Sequence, residues 1–174
     1  RRIVVTRARA QAAELAQPLR ERGADVLEIP TIKILPPPRL KPVREALSGL
    51  HAYDWIVFTS RNGVEAFFQR FFEKFQDLRD IGGVRLAAVG PGTAAAVRAY
   101  RLQVDVMPTE ALGAKIVQAL TDFESIENLR FLLPRAEEAN PELPRLLEEK
   151  GGIVDDIPFY RTVAESEESA ETTA

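Results

Sequence analysis

The feature that most constrains the fold of this chain is an internal repeat. When the sequence is shifted by 128 residues, residues 4–8 align with residues 132–136 without a gap, and both copies carry an arginine at the same place. Further identities in the same register are Gly23 with Gly151 and Ile29-Pro30 with Ile157-Pro158. Chance similarity between two strand–helix units would preserve apolar spacing, but would hardly preserve an arginine, a glycine and an Ile-Pro pair together. The repeat therefore predicts two related domains.

Short β-branched runs alternate with longer segments of helical period along the chain. The predicted strands are residues 3–5, 26–29, 55–59, 85–89, 104–107, 131–133 and 153–160. The predicted helices end at Arg22 and near Lys150, or span residues 43–50, 63–75, 93–100 and 114–119. This alternation is typical of βαβ units. The sequence therefore predicts an α/β fold in which two related domains have parallel sheets flanked by helices.

The domain boundaries follow from the repeat and from three consecutive prolines at 36–38, which fix an extended path between two bodies. We expect residues 1–30 to form the opening βαβ of domain 1, residues 36–156 to form domain 2, and residues 163–174 to return toward domain 1. Residues 31–35 and 157–162 would pair as an interdomain β-ladder. Because an open two-stranded parallel sheet is not expected to stand alone, we expect the first domain to be incomplete here and to continue after residue 174.

Composition excludes several classes of function. The chain has no cysteine and one histidine, so we expect neither a disulfide framework nor a Cys-rich or His-rich metal site. Its formal net charge is −3 and its basic residues are scattered, which does not fit a nucleic-acid partner. The apolar runs are far shorter than the ~20 residues of a membrane-spanning helix. We therefore expect a cytoplasmic protein with no membrane partner.

Two loops that follow predicted strands contain residues suited to binding an anion. The first holds Ser60, Arg61, Asn62 and Gly63, and the second holds Gly92 and Thr93. Ligands of open α/β sheets bind where a strand ends and a helix begins, and the N–H groups of a helix N-terminus attract anions there. The alternative is that Ser60 or Asn62 merely caps the next helix. No dinucleotide fingerprint is present, because a third glycine is missing at the required spacing, so these loops give only weak support for cofactor binding.

Three further side chains are candidates for a site. Arg7 and Arg135 occupy equivalent places in the repeat, and either could hold a carboxylate with two parallel hydrogen bonds. The alternative is an arginine that only ties two loops together. Tyr160 lies on the predicted ladder, where its phenol could donate a proton or its ring could serve only for packing.

In order along the chain, these segments resemble motifs of the uroporphyrinogen-III synthase family. The matching segments are Val5-Thr6-Arg7-Ala8, Ile29-Pro30, residues 58–64, residues 88–94, Leu133-Pro134-Arg135-Ala136 and Phe159-Tyr160-Arg161-Thr162. Each motif is short, but their order and spacing cover nearly the whole chain. The resemblance implies two α/β domains joined by a two-stranded β-ladder, a cleft between the domains, and no cofactor. The closing half of the first domain, which the family has, is absent from this sequence.

The activity that the resemblance implies is the closure of hydroxymethylbilane, a flexible linear tetrapyrrole polycarboxylate, to uroporphyrinogen III. Ring D is inverted and water is lost, in the biosynthesis of haem, sirohaem and cobalamin. The unaided molecule closes without inversion, so the enzyme would supply the geometry that blocks direct closure. Helix N-termini near Ser60 and Thr93 would bind substrate carboxylates, and Tyr160 resembles the family's proposed proton donor.

Two interpretations remain open at this point. The first is the synthase, which takes a small-molecule substrate; we expect a monomer and leave open a fusion to another tetrapyrrole enzyme. The second is a non-catalytic, ligand-sensing regulatory module with the same two-domain body.

Overall fold

A computed structural model describes residues 1–165 of the chain, apart from the side chain of Ala10, and has an α/β architecture. Its strands are β1 Arg2–Val5, β2 Asp25–Glu28, β3 Ile32–Leu35, β4 Trp55–Phe58, β5 Arg85–Ala88, β6 Arg130–Ala136 and β7 Ile153–Ala164. Its helices are α1 Arg9–Glu21, α2 Leu40–Ser48, α3 Arg61–Lys74, α4 Pro91–Ala99, α5 Gly113–Phe123 and α6 Glu142–Glu149, with short 3₁₀ turns at Leu50–Ala52 and Leu78–Ile81. The α/β class predicted from the alternation is confirmed.

The chain divides into two compact units. The small unit comprises Arg1–Leu35 and the chain from Arg161 onward, and the large unit is Pro36–Tyr160. The first division falls at the run of prolines, beside the predicted boundary. Of residues 163–174, which were predicted to return toward domain 1, residues 166–174 lie outside the described residues.

The large unit is built on parallel strands in the order β7-β6-β4-β5. All four residues of β4 are buried, as expected for a central parallel strand covered on both faces. Successive β4 residues enter opposite cores. Ile56 and Phe58 pack with α2, α3 and α4, where Phe67, Phe68 and Phe71 are fully buried, whereas Trp55 and Val57 pack with α5 and α6. The sheet therefore separates two apolar cores.

In the small unit, β1 and β2 pair in parallel in the register that the repeat predicts. Arg2 pairs with Asp25, and Arg130 pairs with Ile153 in the large unit, which is the same pairing displaced by 128 residues. Gly23 and Gly151 both have positive φ, at 80° and 86°, a conformation that glycine adopts without strain. The helix-to-strand turn is thus built in the same way in both copies.

The antiparallel ladder of the small unit corrects the predicted pairing. Ile32–Leu35 pair with residues 161–164, so only residues 161 and 162 of the predicted segment 157–162 take part. Residues 157–160 are taken up by β6 instead, since Ile157 pairs with Pro134 and Tyr160 pairs with Ala136. Strand β7 is therefore longer than predicted, and only its last four residues form the ladder.

The strand predicted at residues 104–107 is wrong. Only a single bridge forms there, between Ala87 and Val106. The carboxylate of Asp105 accepts the N–H of Leu86 at 2.8 Å, so a side chain occupies a donor that a neighbouring strand would use.

Within residues 1–165, no helix is long and apolar enough to cross a membrane.

Candidate functional site

Ser60 caps helix α3. Its Oγ accepts the N–H of Gly63 at 3.0 Å, which satisfies one of the free donors of the first helical turn. The predicted cap at Ser60 is present, its predicted binding role stays a prediction, and α3 begins at Arg61, two residues before the predicted start.

Gly63 is required by packing between a helix and a strand. A Cβ at this position would lie 2.6 Å from the carbonyl oxygen of Pro134 in β6. Its N–H is already donated to Ser60, so this group is not the open anion donor that the loop predicted. Gly63 brings α3 close to β6 and thereby fixes the position of Ser60.

The structure brings Ser60 together with Tyr160, which lies 100 residues later in the sequence. The two hydroxyl oxygens are 3.0 Å apart, and either can donate the hydrogen bond. Tyr160 is only 7% exposed. The amide of Glu137 also donates to the Tyr160 carbonyl at 2.9 Å, so both the backbone and the phenol of Tyr160 are held.

A β-bulge in β7 sets the direction of Tyr160. Arg135 pairs with Pro158 and the next β6 residue, Ala136, pairs with Tyr160, which leaves Phe159 as an inserted residue. Phe159 is fully buried, and its ring centre lies 5.6 Å from that of Phe67. Bulges change the direction of the side chains that follow them. The packing of Phe159 therefore supports the contact between Tyr160 and Ser60.

The donor in the Ser60–Tyr160 bond decides what the phenol can do. Ser60 has a single proton, and its oxygen already accepts from Gly63. If Ser60 donates to Tyr160, the phenolic proton is available to another acceptor. If Tyr160 donates to Ser60, its ring acts as a fixed wall. These arrangements correspond to the two roles predicted for Tyr160.

Arg135 does not offer its guanidinium to a ligand. It is 4% exposed, its Nε donates to Asp156 at 2.8 Å, its Nη2 pairs with the second oxygen of Asp156, and its Nη1 donates to the carbonyl of Asn140 at 2.8 Å. These contacts match the alternative, an arginine that ties β6 to β7 and to the following loop, and they give no support to the predicted carboxylate role of Arg135.

Arg7 behaves differently from its repeat partner. It is exposed on the loop after β1 in the small unit. Glu28 stands where the repeat would place the partner of Arg7, but its carboxylate pairs with Arg20 at 2.7 Å. The repeat thus preserves the arginine and not its ion pair.

The second predicted loop opens α4. Gly90 precedes Pro91 at the helix start, Thr93 is 8% exposed, and a Cβ at Gly92 would meet nothing within 4 Å. A cleft of about 460 Å³ lies between α3 and α4. It is lined by Arg61, Glu65, Gly92, Ala95, Ala96, Ala99 and Tyr100. Two predicted site residues, Arg61 and Gly92, therefore share one cleft.

The charges of this cleft are partly compensated within α3. Arg61 and Glu65 form an ion pair at 2.8 Å, and both side chains are nearly half exposed. Burial, with a smaller contribution from the charge of Glu65, raises the pKa of Tyr100, which stacks on Phe68 at 4.0 Å between ring centres. Asn62 lies in the first turn of α3. Within residues 1–165, no group of three or more acidic or histidine side chains is arranged to hold a metal ion.

A family model described as Uroporphyrinogen-III synthase HemD matches residues 13–174. The chain belongs to the uroporphyrinogen-III synthase family. A uroporphyrinogen-III synthase of Synechococcus elongatus is 32% identical over 161 residues, which cover 92% of this chain and 60% of that relative. A porphyrin biosynthesis protein HemD of Ruminiclostridium josui is 29% identical over 161 residues, covering 92% of this chain and 32% of that protein.

Solved structures of the same family share the fold. A mutant uroporphyrinogen III synthase of Thermus thermophilus superposes with a TM-score of 0.67 at 18% identity, covering 94% of this chain and 63% of that one. The present family member thus spans from about a third to just over three fifths of the length of these relatives.

Sequence reasoning missed several residues around the site of this synthase-family chain. Asp156 was treated only as a strand residue and Phe159 only as part of a motif, although one holds Arg135 and the other forms the bulge before Tyr160. Glu65 and Tyr100, which line the cleft with Arg61, were also missed. The only local signal for Glu65 was its position four residues after an arginine on a predicted helix.

Proposed function

We propose that the polypeptide carrying this sequence is a uroporphyrinogen-III synthase that closes hydroxymethylbilane to uroporphyrinogen III. The observation that carries this proposal is the family match over residues 13–174. The hydrogen-bonded pair of Ser60 and Tyr160 supports it, because it forms at two of the motifs on which the resemblance rests. We further propose that the two compact units are related domains and that the ladder joins them.

In the proposed reaction the terminal hydroxyl leaves with a proton as water, and an azafulvene cation remains. Ring D attacks this cation through its substituted carbon, and the resulting spiro intermediate opens and closes again with the ring inverted. We propose that Tyr160 acts mainly by shape. Its side chain is buried, its phenol is bonded to Ser60 and its backbone carbonyl accepts the Glu137 amide, which suits a wall that blocks direct closure.

The proposed carboxylate ligands are taken from the residues that the two predicted loops and the repeat supply. Gly63 and Arg135 are set aside as packing and ion-pair residues. The first turn of α4, at Gly92 and Thr93, supplies N–H groups that have no partner within the helix, and its positive end attracts anions. Ser60, Arg61, Asn62 and Arg7 stay in the proposed set.

The regulatory alternative has no support from the relatives, which are named as synthases or as a porphyrin biosynthesis protein. We propose a small-molecule substrate and a cytoplasmic location. A monomer remains our expectation.

The decisive assay supplies the natural polypeptide carrying this sequence with enzymatically generated hydroxymethylbilane. The products are oxidised and isomers I and III are separated by chromatography. We expect isomer III to dominate, whereas a reaction without protein gives isomer I. Isomer I alone, at the uncatalysed rate and with a correctly folded protein, contradicts the proposal.

A further inference from the structure

Arg161 follows Tyr160 directly and has a buried donor with no partner. The residue pairs with Leu35 in the ladder of the small unit, so its backbone is fixed. Its side chain is partly buried, and the Nε atom is fully buried. Among residues 1–165, no atom accepts a hydrogen bond from this Nε. Buried polar groups in native proteins are nearly always satisfied, so this one requires an explanation.

The other arginines of the described chain do not share this condition. Arg135 is deeply buried, but each of its three nitrogens has an acceptor. Arginines without a side-chain partner within residues 1–165, such as Arg22 and Arg98, are exposed to water. Arg161 alone combines partial burial with an unsatisfied nitrogen in this part of the chain.

The acidic residues of the same strand and its end do not accept from Arg161 Nε, and each has another partner. Asp155 accepts from Tyr53 at 2.6 Å, Asp156 holds Arg135, and Glu165 pairs with Arg9 at 2.7 Å. A guanidinium with a buried Nε–H is satisfied best by a carboxylate, which accepts two parallel hydrogen bonds from its planar edge.

We infer that Arg161 binds a carboxylate of the substrate. The inference rests on the proposed function, in which the substrate is a polycarboxylate. Arg161 then adds a fixed cationic ligand to a set that otherwise depends on helix N-termini and on exposed side chains. The position is specified on both sides, since Tyr160 before it pairs with Ala136, and Thr162 after it pairs with Ile34.

The test compares Arg161→Gln and Arg161→Lys with Arg22→Gln as a matched control, all in the natural polypeptide carrying this sequence. KM and kcat are measured with hydroxymethylbilane, and binding of uroporphyrin I, a stable polycarboxylate, is measured by calorimetry. We expect Arg161→Gln to raise KM about tenfold or more and to weaken uroporphyrin I binding similarly, as for a lost hydrogen bond to a charged group. We expect kcat to change less than about twofold, since the contact is present in both the bound substrate and the transition state.

Arg161→Lys keeps the charge but not the planar fork, so we expect an intermediate KM, and Arg22→Gln should match the wild type. If Arg161→Gln does not fold, Arg161→Lys alone decides, and a wild-type KM in this variant overturns the inference. An unchanged KM together with a lowered melting temperature also overturns it, because Arg161 would then serve only the protein's own structure. If the wild type makes no isomer III, the proposed function fails. The inference on Arg161 is then tested by calorimetry alone, which compares uroporphyrin I binding by the wild type and by Arg161→Gln. A wild type that does not bind uroporphyrin I either overturns the inference as well.

Discussion

Tyr160→Phe removes a single oxygen atom, the one that lies 3.0 Å from Ser60 Oγ. The substitution leaves Ser60 with its second partner, the N–H of Gly63, so no buried group loses all its hydrogen bonds. We expect a loss of about 0.5–1.5 kcal/mol in the free energy of unfolding, the net worth of one neutral hydrogen bond.

Ser60→Ala removes more. It deletes the cap of α3, worth about 1 kcal/mol, together with the bond to Tyr160. It also leaves the phenol of a residue that is 7% exposed without Ser60. We expect a total loss of about 1.5–3 kcal/mol. In the double variant the two losses should fall short of additivity by about 1 kcal/mol, since both single changes remove the same bond.

Urea denaturation of the wild type, the two single variants and the double variant measures this coupling. The isomer assay separates the two roles of Tyr160, shaping the site and donating a proton. If Tyr160 shapes the site, Tyr160→Phe keeps a rate near wild type, whereas Tyr160→Ala is slower and releases isomer I. Additive stability losses would refute the hydrogen bond on which this reasoning depends. A rate loss of about 10²-fold or more in Tyr160→Phe, with intact folding and unchanged KM, would refute the shaping role and assign proton donation.

Three further substitutions test the surroundings of the site. Gly63→Ala places a Cβ 2.6 Å from the Pro134 carbonyl oxygen and should lower the free energy of unfolding, measured in urea, by about 1–3 kcal/mol. The control Gly92→Ala, whose Cβ would meet nothing within 4 Å, should leave it unchanged. Equal effects of the two substitutions would contradict the packing role of Gly63. Arg135→Met should lower the free energy of unfolding by about 1–3 kcal/mol, because Asp156 loses its partner but stays partly hydrated. The control Arg145→Met breaks the exposed pair with Glu149 and should lower it by less than about 1 kcal/mol. An unchanged stability of Arg135→Met would contradict a stabilising ion pair. Burial and the hydrogen bond to Asp155 raise the pKa of Tyr53 in the folded protein. The contribution of the Tyr53 phenol to the free energy of unfolding is therefore complete below the pKa of an unfolded tyrosine, about 10, and falls as the pH rises above it. The stability gap between wild type and Tyr53→Phe should therefore narrow from pH 8 to pH 11, and a constant gap would show that Tyr53 ionises alike in both states.

The parts of the fold that local patterns encode were predictable. The parallel pairing of residues 2–5 with 25–28, and its copy 128 residues later, follow from apolar spacing and from the turn glycines Gly23 and Gly151. The segment 104–107 has a similar apolar spacing, yet it forms only one bridge because Asp105 binds the Leu86 amide. That outcome depends on two residues far apart in sequence, which periodicity cannot show.

The site was predictable by residue type but not by geometry. Ser60 was identified from its loop and Tyr160 from the predicted ladder, but their contact depends on the inserted Phe159 and on pairing between β6 and β7. Arg7 and Arg135 occupy equivalent places in the repeat, yet one is exposed and the other is buried beside Asp156. Ion-pair partners are chosen across strands, so a motif can specify an arginine without specifying its role.

The two copies of the repeat can be exchanged as backbone but not as side chains. Gly23 and Gly151 each donate to a residue three positions earlier, at 2.9 Å in both copies, so a graft of one turn onto the other would meet the same main-chain scaffold. The ion pairs would not transfer, since Glu28 is paired with Arg20 while the equivalent Asp156 is paired with Arg135. The two copies of the repeat thus share a hydrogen-bonded frame and differ in the charges that this frame carries.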